Sequence, residues 1–252
     1  MNLFDLNGKG AIVTGGNRGL GRGITEGLCE AGASVVIMAS SDSVMDAASE
    51  LSDMGYTVYG VKCNLADNKS IGDAFEKAVE LLGGRLDILV NNAGIQRRNH
   101  CEDFDLTDWD DVLNVNLRAV FTMCQLAGRH MLKNGGGKII NIASMLSFFG
   151  GFTVPAYAAS KGGVAQLTRA LSNEWASRGV NVNAIAPGYM ATKMNTKLIE
   201  DEKRNTEILS RIPAGRWGTP EDIKGISVFL SSAASDYLSG AIIPVDGGYL
   251  GK

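Results

Sequence analysis

Residues 14 to 21 read TGGNRGLG, directly after the apolar run AIV (11 to 13) and directly before a stretch of helical period. A buried strand that ends in a glycine turn and runs on into a helix is an anion-binding arrangement. Gly15 permits the tight turn, Gly19 lets the backbone approach a pyrophosphate, and Gly21 lets the helix pack close to the sheet, while the helix start offers free N–H groups. Asn17, Arg18 and Leu20 belong to the same turn. Such a turn is weak evidence by itself, so its weight depends on what surrounds it.

Outward from the turn, short Val- and Ile-rich runs recur at 34 to 39 (SVVIMA), 57 to 63 (TVYGVKC), 86 to 94 (LDILVNNAG), 138 to 144 (KIINIAS), 180 to 188 (VNVNAIAPG) and 241 to 248 (AIIPVDGG). None alternates strictly, as expected for strands buried on both faces. Segments of helical period lie between them, among them 107 to 132 and 155 to 177. TPED (219 to 222) reads as a helix start with Thr219 as N-cap and Pro220 as first helical residue. Strand and helix repeated about seven times predict a single α/β domain over residues 1 to 252. It is a doubly wound, Rossmann-type fold with a seven-stranded parallel sheet and helices on both faces. The most polar segment, 192 to 207, falls where loops carry function, and a substrate lid is expected at about 190 to 212.

Composition narrows the function. With 45% hydrophobic and 20% charged residues the 252-residue chain can bury a large core, and a net charge of −3 argues against a nucleic-acid surface. No basic-then-apolar leader and no apolar run near ~18 residues is seen, so a cytoplasmic protein is expected. Cys29, Cys63, Cys101 and Cys124 are widely spaced and the only histidines are His100 and His130. That pattern suits reduced thiols and no metal site.

The end of the second run selects the dinucleotide. A carboxylate there would bind the adenosine ribose of NAD and repel the extra phosphate of NADP. Here the residues are Ala39, Ser40 and Ser41, with no acid until Asp42. Both serines can donate to a phosphate and Arg18 can supply charge, so NADP(H) is favoured, with NAD(H) left open.

Tyr157 and Lys161, four apart in YAASK, share one face of a helix. An adjacent ammonium favours the phenolate and makes proton transfer to an alcohol oxygen practicable. Ser144 ends the run IINIAS at the carboxyl edge of the sheet, where ligands of open α/β sheets bind.

Taken together, TGxxxGxG (14 to 21), NNAG (91 to 94), the Ser144/Tyr157/Lys161 set and Pro187-Gly188 resemble the short-chain dehydrogenase/reductase family over essentially the whole chain. The resemblance implies that Tyr157 is the general acid-base, Ser144 holds the substrate oxygen, and Lys161 grips the nicotinamide ribose and lowers the tyrosine pKa. Asn116 would complete a proton relay through water, or satisfy a local helix kink. Asn64 and Leu65 would flank the adenine, and Asn91 to Gly94, including Ala93, would line the cofactor. Pro187, Gly188 and Thr192 would border the nicotinamide. A homotetramer built on the two long central helices and the C-terminal strand region is also implied.

The stretches GIQRR (94 to 98), NIASMLSFFGG (141 to 151), APGYMATKMN (186 to 195) and IPAGRWG (212 to 218) are similar to the sugar-acid branch of that family, the 2-deoxy-D-gluconate 3-dehydrogenase or 2-keto-3-deoxygluconate dehydrogenase type. Arg97 or Arg98 would then bind a substrate carboxylate, with Met145, Phe149, Met190 and Trp217 as apolar walls. Other readings remain open: 3-oxoacyl-[acyl-carrier-protein] reductase, gluconate 5-dehydrogenase, hydroxysteroid or generic ketone reductase, and a non-catalytic dinucleotide-binding scaffold.

Overall fold

The computed structural model describes residues 3–252, the side chain of Met194 excepted. Seven strands, β1 (Gly10–Thr14), β2 (Ser34–Ala39), β3 (Val58–Lys62), β4 (Ile88–Asn91), β5 (Gly137–Ile142), β6 (Val180–Pro187) and β7 (Ile242–Val245), form one sheet in the order β3-β2-β1-β4-β5-β6-β7. Every pairing is parallel. The expected fold is therefore the one observed.

Parallel strands covered on both faces must be apolar on both, and the side chains divide by alternation. Ile12, Val36, Met38, Leu89, Ile139 and Val182 pack beneath α3 (Asn68–Leu81), α5 (Ala119–Lys133) and α6 (Pro155–Trp175). Their neighbours Ala11, Val13, Val35, Ile37, Val90 and Ile140 pack in a second layer with Ile24 and Leu28 of α1 (Gly19–Glu30), Val44 and Leu51 of α2 (Ser43–Asp53) and Ile223 of α9 (Glu221–Ser231).

The strand order reverses between β1 and β4, which opens a crevice at their carboxyl ends. Thr14 and Asn92 fasten its two sides. The Thr14 hydroxyl accepts from the N–H groups of Asn92 and Ala93 at 3.0 and 3.1 Å, and Asn92 Nδ2 donates to the carbonyls of Thr14 and Gly15.

Two local expectations change. The helix expected over 107 to 132 is α4 (Leu106–Leu113), a π-helical segment over Asn114–Arg118, and then α5. A shift to i→i+5 bonding inside a helix often marks a functional site. At the start of α9, Pro220 has helical dihedrals but precedes the first helical residue. The capping runs the other way from that expected: Thr219 donates its N–H and hydroxyl to the Asp222 carboxylate at 2.7 and 3.1 Å.

The segment after β6 is helical as anticipated, with α7 (Thr196–Glu200) and α8 (Glu202–Arg211). Among the described residues no helix is long and apolar enough to cross a membrane. Cys29, Cys63 and Cys124 are buried free thiols and Cys101 is exposed.

Candidate active site

A cleft of about 910 Å³ runs along the crevice between β1 and β4. Its nucleotide end is built from the β1–α1 turn. Gly15 and Gly19 hold φ of +64° and +56°, the left-handed region where a side chain is strained. A Cβ on Gly21 would sit within 2.1 Å of the Gly15 carbonyl oxygen, so only glycine lets α1 start this close to the strand. Arg18 precedes α1 in an extended conformation, and no side chain caps the helix or places an acid in its first turn. Free N–H groups, a positive helix end and no competing carboxylate together fit a pyrophosphate.

The β2 end carries the second test of the cofactor. Ser40 and Ser41 line the cleft beside Asn17 and Arg18, and Asn17 Nδ2 donates to Ser43 Oγ at 2.9 Å. The nearest acid, Asp42, is paired with Lys62. The rim therefore presents hydroxyls and a guanidinium without a free carboxylate, which suits an added phosphate. Asn64, Leu65, Ala93, Gly94, Pro187, Gly188 and Thr192 line the same cleft.

Asn91 does not. It is 3% exposed and turned under the sheet, where its Nδ2 donates to Asn141 Oδ1 at 2.9 Å and to the Cys124 sulfur. Strand alternation is the reason: residue 91 shares the face of Leu89, two positions earlier. Asn92 takes the place on the cleft wall.

The chemical end brings Ser144, Tyr157 and Lys161 together. Ser144 follows β5; its Oγ accepts from the Leu146 N–H at 3.1 Å, and its hydroxyl is hydrogen-bonded with Tyr157. Tyr157 and Lys161 project from the first turns of α6, with the ammonium 5.6 Å from the phenol ring centre. Lys161 is 4% exposed and donates to the Ile142 carbonyl at 2.5 Å. Burial lowers its pKa to about 8. The pKa of Tyr157, expected to be lowered by the ammonium, is instead raised; burial of the phenol dominates, and a hydrogen bond with Ser144 offsets part of it. At neutral pH the phenol is a proton donor.

Asn116 lies in the π-helical segment and is fully buried. Its Oδ1 accepts from the Ile95 N–H at 2.8 Å, and its Nδ2 donates to the Ile95 carbonyl at 2.9 Å and to Ser160 Oγ at 3.3 Å. The amide thus clamps the strand leaving β4 against α6.

The two arginines differ. Both line the cleft, but Arg97 is drawn to α4, with Nε 3.1 Å from Asp108 and Nη2 3.7 Å from Asp111. Arg98 is exposed and, among the described residues, has no ion pair. Met190 lines the cleft, whereas Met145, Phe149 and Trp217 do not. Met145 and Trp217 pack in a separate apolar cluster with Tyr249, on whose ring Phe149 stacks. Gln96, Lys193 and Asn195 also border the cleft; no role of their own is expected for them, although Gln96 lies in GIQRR and Lys193 and Asn195 lie both in APGYMATKMN and in the expected lid.

A dinucleotide cradle opening onto a Ser-Tyr-Lys set, with Ser144 and Lys161 buried and Tyr157 half-buried, defines an oxidoreductase acting on an alcohol or ketone. The chain belongs to the short-chain dehydrogenase/reductase family: the model described as enoyl-(acyl carrier protein) reductase matches residues 15–250. It is 50% identical to the 2-dehydro-3-deoxy-D-gluconate 5-dehydrogenase of Bacillus subtilis, over 100% of this chain and 98% of that protein. Two solved structures are similar throughout. One, from Agrobacterium tumefaciens, is a candidate 2-deoxy-D-gluconate 3-dehydrogenase with bound NADP, with TM-score 0.94 and 49% identity over 100% of both chains. The other is a gluconate 5-dehydrogenase from Burkholderia cenocepacia in complex with NADP and tartrate, with TM-score 0.96 and 39% identity over 100% of this chain and 98% of that one.

Proposed function

We propose that this protein is a sugar-acid dehydrogenase that interconverts a secondary alcohol and ketone of a 2-dehydro-3-deoxygluconate or 2-deoxygluconate type substrate, using NADP(H) in preference to NAD(H). The observation that carries the substrate class is the unpaired Arg98 guanidinium on the wall of the cleft that also holds Ser144 and Tyr157. A carboxylate at one end of a short polyol and a reacting carbon at the other match that arrangement. The sugar-acid names of full-length relatives and the NADP held by similar structures support the same reading.

The β1–α1 turn, Asn92 to Gly94, Pro187, Gly188 and Thr192 would hold the cofactor, with Arg18, Ser40 and Ser41 at its adenosine phosphate. When bound, the nicotinamide supplies or accepts the hydride. The Ser144 hydroxyl, hydrogen-bonded to Tyr157 in the substrate-free site, would donate a hydrogen bond to the substrate oxygen and fix that oxygen beside Tyr157 while keeping its own proton. In the reduction direction Tyr157, protonated because burial raises its pKa, delivers the proton to that oxygen. Lys161 holds the ribose end and stabilises the phenolate that remains. Asn116 keeps the clamp on Ile95 and offers the π-helical backbone to a water relay. The segment 190–212 acts as the lid, with Met190 against the substrate. Met145, Phe149 and Trp217 support the wall from behind.

We further assign the protein to the cytoplasm and to a homotetramer built on α5 and α6, where Phe121 is left 44% exposed. Light scattering after gel filtration reads the mass.

The test is an initial-rate screen of sugar acids, acetoacetyl thioesters and steroids with each dinucleotide at equal concentration. Turnover of a sugar acid with NADPH is expected, and Tyr157→Phe should lower it by about 10²- to 10⁴-fold without loss of NADPH binding. Turnover of thioesters and of no sugar acid would overturn the substrate class.

A further inference from the structure

We propose that Tyr249, just beyond β7, is a positioning residue that latches the lid helix α8 over the substrate half of the cleft. The inference rests on the lid reading above and names what holds it shut. α8 has ten residues, EKRNTEILSR, of which only Ile208 is buried. A helix this short and polar is marginal alone, so its tertiary contacts decide whether it stays docked.

Those contacts converge on one place. Ile208 and Ile212 pack with Tyr249 and Met145 in a cluster that is separate from both faces of the sheet. The Arg211 guanidinium lies 4.4 Å over the Tyr249 ring. Trp217 Nε1 donates to Asn205 Oδ1 at 2.7 Å, and Trp217 packs edge-on against Tyr189 at 5.5 Å. Lys252 Nζ donates to the Ser210 carbonyl at 2.7 Å, tying the same end of α8 to the segment that carries Tyr249.

Tyr249 also touches the two strand exits that border the cleft. Phe149, five residues after Ser144, stacks on its ring at 6.0 Å, and Tyr189, just after Gly188, meets it edge-on at 5.3 Å. At 4% exposure one ring therefore joins the loop after β5, the loop after β6 and the lid. Nothing in it reaches the cleft. Its effect is on where α8 sits, and so on the fraction of molecules whose substrate half is covered.

A ring face and a guanidinium predict a distinctive pattern. Tyr249→Phe keeps the ring and loses only the hydroxyl's hydrogen bond with Tyr189, so it should lie closer to the parent than to the Leu variant. Tyr249→Leu removes the ring, and Arg211→Met removes only the exposed cation while keeping most of the side chain's bulk. In the full chain without substrate, trypsin should cut after Lys203 and Arg204 about fivefold faster in the Leu and Met variants, since cleavage tracks the open population. With NADPH saturating, KM for the sugar acid should rise by up to the same factor while kcat stays within about twofold. Unchanged cleavage within α8 in Arg211→Met, or a Phe variant as leaky as the Leu variant, overturns the latch. Should Tyr249→Leu not fold, Arg211→Met decides by itself. Because the cleavage arm needs no substrate, faster cleavage in a protein that turns over no sugar acid would leave the latch standing and sink only the substrate reading.

Discussion

Arg98→Ala is the sharpest test of the proposal that this cleft reads a carboxylate. A hydrogen-bonded pair between a guanidinium and a carboxylate is worth about 1.5–3 kcal/mol, roughly tenfold to a hundredfold in kcat/KM. Arg98 is exposed, so solvent and salt screen the pair and place the loss near tenfold, larger at low ionic strength. Arg97 supplies the internal control. Its guanidinium is already engaged by Asp108 and Asp111, with side-chain exposures of 41%, 46% and 55%, and exposed pairs of this kind contribute about 0–1 kcal/mol. Arg97→Ala should therefore cost less than about fivefold. Arg98→Lys should fall between, because an ammonium cannot form the two-pronged pair. The assay measures kcat/KM for a sugar acid and for its neutral amide in each variant. The loss in Arg98→Ala should appear on the acid and vanish on the amide. Equal losses on both, or a larger effect at Arg97, would refute the assignment.

Three further outcomes follow from the same geometry. Burial lowers Lys161 from an ordinary 10.5 to about 8, so between those values the unfolded chain binds more protons than the native one and this residue's contribution to stability rises with pH. The gain is at most about 3 kcal/mol. Cys29 and Cys63, pushed up by burial to about 12 and 11, act oppositely, since their thiols stay protonated in the native state while the unfolded ones ionise. The Tm difference between the parent and Lys161→Met, followed from pH 8 to 10 by scanning calorimetry, cancels those thiols and should move in the parent's favour; a flat difference would show that the ammonium is not desolvated. Ser40→Asp places a carboxylate where the adenosine phosphate would sit and should weaken NADPH by about tenfold or more while sparing NADH, read by nucleotide fluorescence titration. Gly21→Ala drives a Cβ to within 2.1 Å of the Gly15 carbonyl and 2.4 Å of Asn92 Nδ2, so both Tm and NADPH affinity should fall, at a cost of about 1–3 kcal/mol. Gly19→Ala, whose Cβ meets nothing closer than 3.9 Å, should cost only the left-handed strain of its φ of +56°, about 1–2 kcal/mol.

What could be read before any coordinates follows from where backbone and solvent leave little choice. Strands covered on both faces are apolar on both, so β1 and β2 announce themselves by Val and Ile. Ser144, Tyr157 and Lys161 are legible because a strand end and one helix turn dictate their directions. The π-helical segment is invisible because a change of hydrogen-bond register inside 107 to 132 alters no apolar spacing. Asn91 was within reach: alternation from Leu89 already turns it beneath the sheet. Met145, Phe149 and Trp217 were not, because apolar loop residues point wherever a partner waits, and theirs is Tyr249, distant in sequence. The arginine pair shows the limit most clearly. Arg97 and Arg98 are chemically identical neighbours, and nothing within GIQRR distinguishes them. The distinction lies in Asp108 and Asp111 on α4, which engage the guanidinium of one and leave that of the other on the cleft wall. Of two adjacent positive charges at the exit of β4, one is therefore paired within the protein, and the proposed function assigns the other to an incoming anion.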